Sequence, residues 1–165
     1  MEGPLTVRRA EPSDDGSIAM LRWTWRVDER GESGMSRSEF EAALATWLDA
    51  HRRTHVGFVA DDGSALVGMA WLGIVERLPG PGVWSRLAGN LQSVYVLPQH
   101  RAHGIGAALV GAVIAEARAR CFDYIVVHPS ERSFLLYRRA GFRAHDGVLE
   151  LDLLSSGVEA PPASG

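Results

Sequence analysis

A run of residues with strand propensity, ending in Val94-Tyr95-Val96-Leu97, stops at Pro98 and is followed by Arg101-Ala102-His103-Gly104-Ile105-Gly106 and a long stretch of helix formers. This order constrains the chain more than any other feature, because it predicts a strand that turns through glycines directly into a helix. The first turn of a helix has N–H groups without partners and a partial positive charge, so such a junction suits an anion. Gly104 and Gly106 let the anion approach without meeting a Cβ, while the N–H groups from about His103 to Ala108 point towards it. The implied ligand carries a pyrophosphate. Two other phosphate motifs are excluded: the chain lacks Gly-Lys-Ser/Thr at this loop, and Leu109 stands where a dinucleotide fingerprint needs its third glycine. By itself, Arg-x-x-Gly-x-Gly also fits a plain glycine-rich helix start.

The rest of the pattern alternates between strand and helix signals. Leu5 to Arg9 reads as a strand, and Pro12-Ser13-Asp14-Asp15 supplies the cap and acidic first turn of a helix to about Glu29. Ser36 and Glu39 have capping-box spacing ahead of the apolar stripe Phe40, Ala43, Leu44, Trp47 and Leu48. His55 to Ala60 and Ala65 to Val75 predict two antiparallel strands around the turn Asp61-Asp62-Gly63-Ser64, and Asn90 to Leu97 a third after a Pro/Gly-rich loop. A buried helix rich in small residues is expected from Gly104 to Arg120, then a strand at Tyr124 to Val127. A helix capped by Ser130 and ended by Gly141 follows, and a last strand from Val148 to Leu153.

With 165 residues, 46% hydrophobic and 22% charged, the chain fits one globular domain, placed at 1–154 with a flexible C-terminal tail at 155–165. Its net charge of −3 gives no general attraction to nucleic acid, and no apolar run approaches the roughly 20 residues that cross a bilayer. Met1-Glu2-Gly3-Pro4 lacks the pattern of a secretory signal, so a cytoplasmic location is expected. All 17 basic residues are arginine, which excludes self-acetylation on lysine, and the lone Cys121 reads as a core thiol. No His-Glu-x-x-His motif occurs, and no metal is predicted.

A second motif lies downstream, Leu136-Tyr137-Arg138-Arg139-Ala140-Gly141-Phe142. Together with Val96-x-Pro98-x-x-Arg101-x-x-Gly104-x-Gly106, in this order and separated by a helix and a strand, it resembles the GCN5-related N-acetyltransferase (GNAT) superfamily over nearly the whole chain. The resemblance implies an α/β (α+β) fold, with a central mixed, mostly antiparallel twisted sheet flanked by about four helices. It implies an acyltransferase that moves the acetyl group of acetyl-CoA to a primary amine by direct attack in a ternary complex, with acetyl-CoA as cosubstrate and no metal. A homodimer is compatible with it. The alternative is a non-catalytic acyl-CoA-binding or regulatory module with the same fold.

Carried over by position, the resemblance gives Val94, Tyr95 and Val96 backbone pairing with the pantetheine amides. It gives Arg101, Ala102, His103, Gly104, Ile105, Gly106 and Ala107 the pyrophosphate. Tyr137 matches the tyrosine assigned as general acid for the departing thiolate, against a plain packing role. Ser130 stands where the family often has Asn and can bond a CoA amide or simply cap a helix. The histone-type enzymes carry a catalytic Glu where this chain has Asn90, so Glu76 and then His128 are the substitute general bases, against solvated or structural roles. His100 and His103 flank the phosphate loop. The acceptor wall implied by the family would hold Trp23, Trp25, Asp28, Glu29, Glu32 and Trp47 and would suit a cationic, partly apolar amine.

Overall fold

A computed structural model describes residues 4–151 and 153. Five strands form one sheet in chain order: β1 (Thr6–Arg9), β2 (His55–Asp61), β3 (Leu66–Glu76), β4 (Leu87–Val96) and β5 (Tyr124–Val127). The first four pair antiparallel and β5 runs parallel to β4. Helices α1 (Asp15–Trp23), α2 (Arg37–His51), α3 (Ile105–Ala119) and α4 (Phe134–Arg139) complete the fold. The mixed, mostly antiparallel sheet with four helices is the fold class expected.

Alternation along the strands sends side chains to two cores. Val56, Phe58, Val67, Leu72 and Leu91 pack with Leu109, Val110 and Val113 of α3, while Val59, Met69, Trp71 and Tyr95 meet Ile18 and Leu21 of α1 and Leu48 of α2 on the opposite face. The helix expected to be buried all round, α3, buries only the stripe Ile105, Leu109, Val110, Val113 and Ala117. Its small residues Ala107, Ala108, Gly111 and Ala115 are exposed, because a single sheet face can cover only one side of a helix.

Local chemistry explains the element ends. The Ser36 hydroxyl accepts the Glu39 N–H and the Glu39 carboxylate accepts the Ser36 N–H, a reciprocal capping box. At the β2–β3 turn, Asp62 accepts the N–H groups of Ser64 and Ala65 and the Ser64 hydroxyl, which holds its carboxyl down at about 2. Gly141, at φ 100°, ends α4 as expected.

Three expectations are corrected. Helix α4 starts at Phe134 after Ser133, not at Ser130. Ser130 instead forms a tight turn in which its N–H donates to the Ser133 hydroxyl at 3.0 Å, a local bond that competes with helix. Cys121 is exposed, since the chain reverses there at φ 56° and Phe122 turns inward in its place. Residues 148–151 form no strand, while Asp152, Leu154 and the expected tail at 155–165 lie outside the described residues.

Asp14 anchors the start of the first helix to the sheet. Its carboxylate takes two bonds from the Arg8 guanidinium, at 2.7 and 2.9 Å, and one from the Glu11 N–H at 2.8 Å. The Arg8 bonds hold its carboxyl below the ordinary value. Asp14→Asn is expected to destabilise the fold by about 1–3 kcal/mol in urea melts at neutral pH. Because the folded carboxyl is depressed, this stabilisation is complete above the unfolded value near 3.8 and is lost as pH falls through the folded value. The gap between wild type and variant therefore closes in acid; a gap that persists there would mean Asp14 acts by shape and not charge.

Candidate active site

Strand β4 carries a bulge that shapes the site. Its register with β3 jumps from Met69–Tyr95 to Trp71–Gln92, and Ser93 sits at φ 54°, so Ser93 and Val94 together face Ala70. The pairing of β4 with β5 ends at Leu91–Val127, immediately before the bulge. Beyond it the β5-facing edge of β4 has no strand partner, and a cleft of about 1140 Å³ opens between Gln92–Val96 on one side and β5 with α4 on the other. A strand edge of this kind offers unpaired N–H and C=O groups to an extended ligand with amides of its own.

The cleft ends at the N-terminus of α3. Gly104 caps the helix at φ 81°, with no side chain bonded to the first-turn N–H groups, and the first internal bond runs from the Ala108 N–H to the Gly104 carbonyl. A Cβ at Gly104 would meet nothing within 4 Å, and one at Gly106 only a Leu136 methyl at 3.6 Å, so the space over both is open. Ala102 also holds a left-handed φ of 66°, a strained loop position of the kind retained at ligand sites.

Electrostatics favours a polyanion. Arg26, Arg30, Arg101, Arg132 and Arg139 line the cleft against the single carboxylate of Glu29, although the whole chain carries −3. The sequence reading missed all of these arginines except Arg101, because isolated arginines on surface helices are normally solvated. Arg101 itself turns back: its Nε donates to the Val96 carbonyl at 2.8 Å, and its Nη2 donates to both Glu29 oxygens at 2.9 Å. Glu29 also accepts from the Tyr95 hydroxyl at 2.5 Å, and Trp25 stacks on Tyr95 at 5.4 Å. Thus Tyr95 and Arg101 lock the helical N-terminal arm onto the phosphate loop. The Tyr95 ring faces α1, which leaves only its backbone for the cleft.

Tyr137 lies in the cleft wall, buried against Phe142, and burial raises its phenol above the ordinary value. Its hydroxyl has no hydrogen-bond partner among the described residues. His128 and Ser130 line the same cleft, and His128 sits 3.3 Å from the Glu150 carboxylate. His100 lines the cleft too, whereas His103 does not. Glu76 lies at the end of β3 opposite Leu87, at the far end of β4 from the bulge, and does not border the cleft. Asn90 pairs with Gly73 inside the sheet. Trp25 and Glu29 border the cleft, Trp23 and Glu32 a smaller neighbouring cavity, and Trp47 stacks on His51 instead. No group of three or more His, Cys, Asp or Glu able to hold a metal occurs among the described residues.

The family model described as the acetyltransferase (GNAT) family matches residues 18–142, which contain the phosphate loop, the cleft and the second motif. The chain belongs to the GNAT family. GNAT enzymes use acetyl-CoA as a cosubstrate, and the open helix start, free strand edge and arginine-lined cleft fit that molecule. A glucosamine 6-phosphate N-acetyltransferase of Trypanosoma brucei brucei is 31% identical over 113 residues, covering 67% of this chain and 75% of that one. The structure of a T. brucei acetyltransferase superposes with a TM-score of 0.70 at 29% identity, covering 91% of this chain and 100% of that one. A predicted acetyltransferase of Clostridium acetobutylicum, solved with acetyl-CoA, shares the fold at a TM-score of 0.74 and 21% identity, over 92% of this chain and 97% of that one. Among the described residues no helix of this GNAT protein is long and apolar enough to cross a membrane.

Proposed function

We propose that this GNAT protein transfers the acetyl group of acetyl-CoA to the primary amine of a small molecule, by direct attack in a ternary complex. The observation that carries this reading is the continuity of one cleft from the open start of α3, along the unpaired edge of β4, to the Tyr137 hydroxyl. The N–H groups of residues 104–107 and the cleft arginines take the pyrophosphate, and the backbone of Val94 to Val96 takes the pantetheine amides.

The amine nitrogen attacks the thioester carbonyl carbon, the C–N bond forms and the C–S bond breaks. Tyr137 gives its proton to the departing sulfur; its raised pKa keeps it protonated at neutral pH. Of the bases read from sequence, His128 is the one bordering the cleft, and it accepts the ammonium proton through solvent. Glu29 is a poor base, since the Tyr95 and Arg101 bonds hold its carboxyl below the ordinary value despite the opposing effect of burial.

Acceptor-dependent release of CoA thiol is the direct test. A panel of amino sugars, amino acids and alkylamines, including the glucosamine 6-phosphate named for the trypanosomal relative, is expected to contain at least one amine that raises thiol release above the hydrolytic background. Saturable acetyl-CoA binding with no acceptor-dependent thiol across the panel would favour the binding or regulatory module.

A further inference from the structure

Beside the cleft lies a separate, half-open cavity of about 190 Å³, bordered by α1, the helical turn at Thr24–Asp28, the loop at 32–35 and the start of α2. Trp23, Phe40 and Met35 give it an apolar wall, with the two rings 5.9 Å apart. Its charged groups are Arg22, Arg26 and Glu32, and Ser33 also lines it. Glu32 is engaged in an ion pair with Arg26. Arg22 has no ion pair within 4 Å among the described residues, and its guanidinium makes one bond there, 2.8 Å to the Ser93 hydroxyl. A guanidinium carries five N–H donors, so most of its capacity is unused.

A half-buried cation beside a second cation is unfavourable unless an anion meets it. Burial, with a smaller contribution from Arg26, pulls the Arg22 pKa down, and the charge of Glu32 offsets this only in part. The location adds the second half of the argument. Ser93 is the bulge residue of β4 and borders the cleft, and Arg26 lines both cavity and cleft. Through the Arg22–Ser93 bond and the shared Arg26 the cavity therefore adjoins the bulge, beside the strand edge assigned to pantetheine.

We propose that this cavity is the acceptor site and that it selects small amines bearing an anionic group, a carboxylate or a phosphate, held by Arg22. The proposal rests on the acetyltransferase reading above and adds the charge of the acceptor to it. The cavity is smaller than the roughly 300–1,000 Å³ of drug-sized sites, which suits a metabolite-sized acceptor. This differs from the cationic, partly apolar amine expected for a wall of Trp23, Trp25, Asp28, Glu29, Glu32 and Trp47, of which Glu29 and Glu32 are paired with Arg101 and Arg26.

The test is calorimetric titration of the CoA-saturated protein, in which the phosphate loop is filled, with two matched pairs. These are glucosamine 6-phosphate against glucosamine, and phenylalanine against phenylalaninamide. The member that bears the phosphate or carboxylate in at least one pair is expected to bind about tenfold or more tightly than the partner that lacks it, and which pair shows it distinguishes phosphate from carboxylate. Arg22→Met is expected to reduce that preference to about twofold or less; if this variant does not fold by circular dichroism, Arg22→Gln is judged by the same criterion. Equal binding within both pairs, absence of binding by all four compounds, or a preference that survives the Arg22 substitution would overturn the proposal. Acetyl-CoA titration of the wild type separates the two readings. Acetyl-CoA binding with thiol release only for neutral amines removes the anion subsite and keeps the acetyltransferase, whereas no acetyl-CoA binding removes the acetyltransferase reading itself.

Discussion

Gly106→Glu is expected to abolish measurable acetyl-CoA binding while leaving the protein folded. The separation of the two effects comes from the position. Gly106 lies in the first turn of α3, its φ is not in the left-handed region, and an added Cβ makes only an ordinary 3.6 Å contact with Leu136. A carboxylate in a first helical turn is even favourable to the helix, by about 0.3–1 kcal/mol. The same carboxylate occupies the place where the N–H groups would meet pyrophosphate. Two like charges about 4 Å apart repel by about 4 kcal/mol at an effective dielectric of about 20, close to a thousandfold in affinity. Gly104 would be a poorer choice, because its φ of 81° makes any side chain cost about 1–2 kcal/mol and confuses folding with binding. Calorimetry with acetyl-CoA, alongside circular dichroism melting, checks the expectation. A folded Gly106→Glu protein with near-wild-type affinity would show that the cofactor phosphates do not sit at the start of α3.

The features legible in sequence are those that the backbone must solve locally. The glycines at 104 and 106, the Ser36–Glu39 box and the Asp61–Ser64 turn are local answers to orphan N–H groups or a tight reversal, and each lies where expected. The Tyr137 motif was also legible, since its helix follows β5 and brings the ring to the cleft wall. What escaped depends on contacts distant in sequence. Arg22 and Ser93 stand 71 positions apart, and only the bulge in β4 turns the serine towards α1. The bulge itself leaves no mark in the alternation of Asn90 to Leu97. Glu29 is expected in the acceptor wall, yet Tyr95 and Arg101, distant in sequence, converge on it. The segment Val148 to Leu151 has the alternation of a strand, with Val148, Leu149 and Leu151 exposed. Periodicity describes the faces a strand would present, but a strand forms only where a neighbour supplies hydrogen bonds. Glu76 lies away from the cleft for a similar reason: closeness in sequence to the phosphate strand says nothing of which end of the sheet it occupies.

Tyr137→Phe is expected to lower kcat by about 10²-fold or more while leaving acetyl-CoA affinity nearly unchanged. The substitution removes one hydroxyl that bonds to nothing among the described residues and keeps the ring that packs on Phe142 and the α3-side core. No buried partner is orphaned, so the loss falls on catalysis and not on folding. Tyr137→Ala does the opposite experiment, since it also deletes a ring that is only 7% exposed and is expected to cost about 3–5 kcal/mol of stability through the cavity it leaves. The pH dependence supplies a further check. Burial raises the phenol pKa, so the acid form persists through neutral pH, and activity limited by this group is expected to fall only in strongly alkaline solution. In Tyr137→Phe that alkaline limb is expected to disappear along with most of the rate. The measurement has to be made where the chemical step and not CoA release limits turnover, by single-turnover thiol detection at saturating acceptor. A Phe variant with near-wild-type kcat under those conditions would reduce Tyr137 to a packing residue and leave the thiolate to depart unassisted, with solvent supplying its proton.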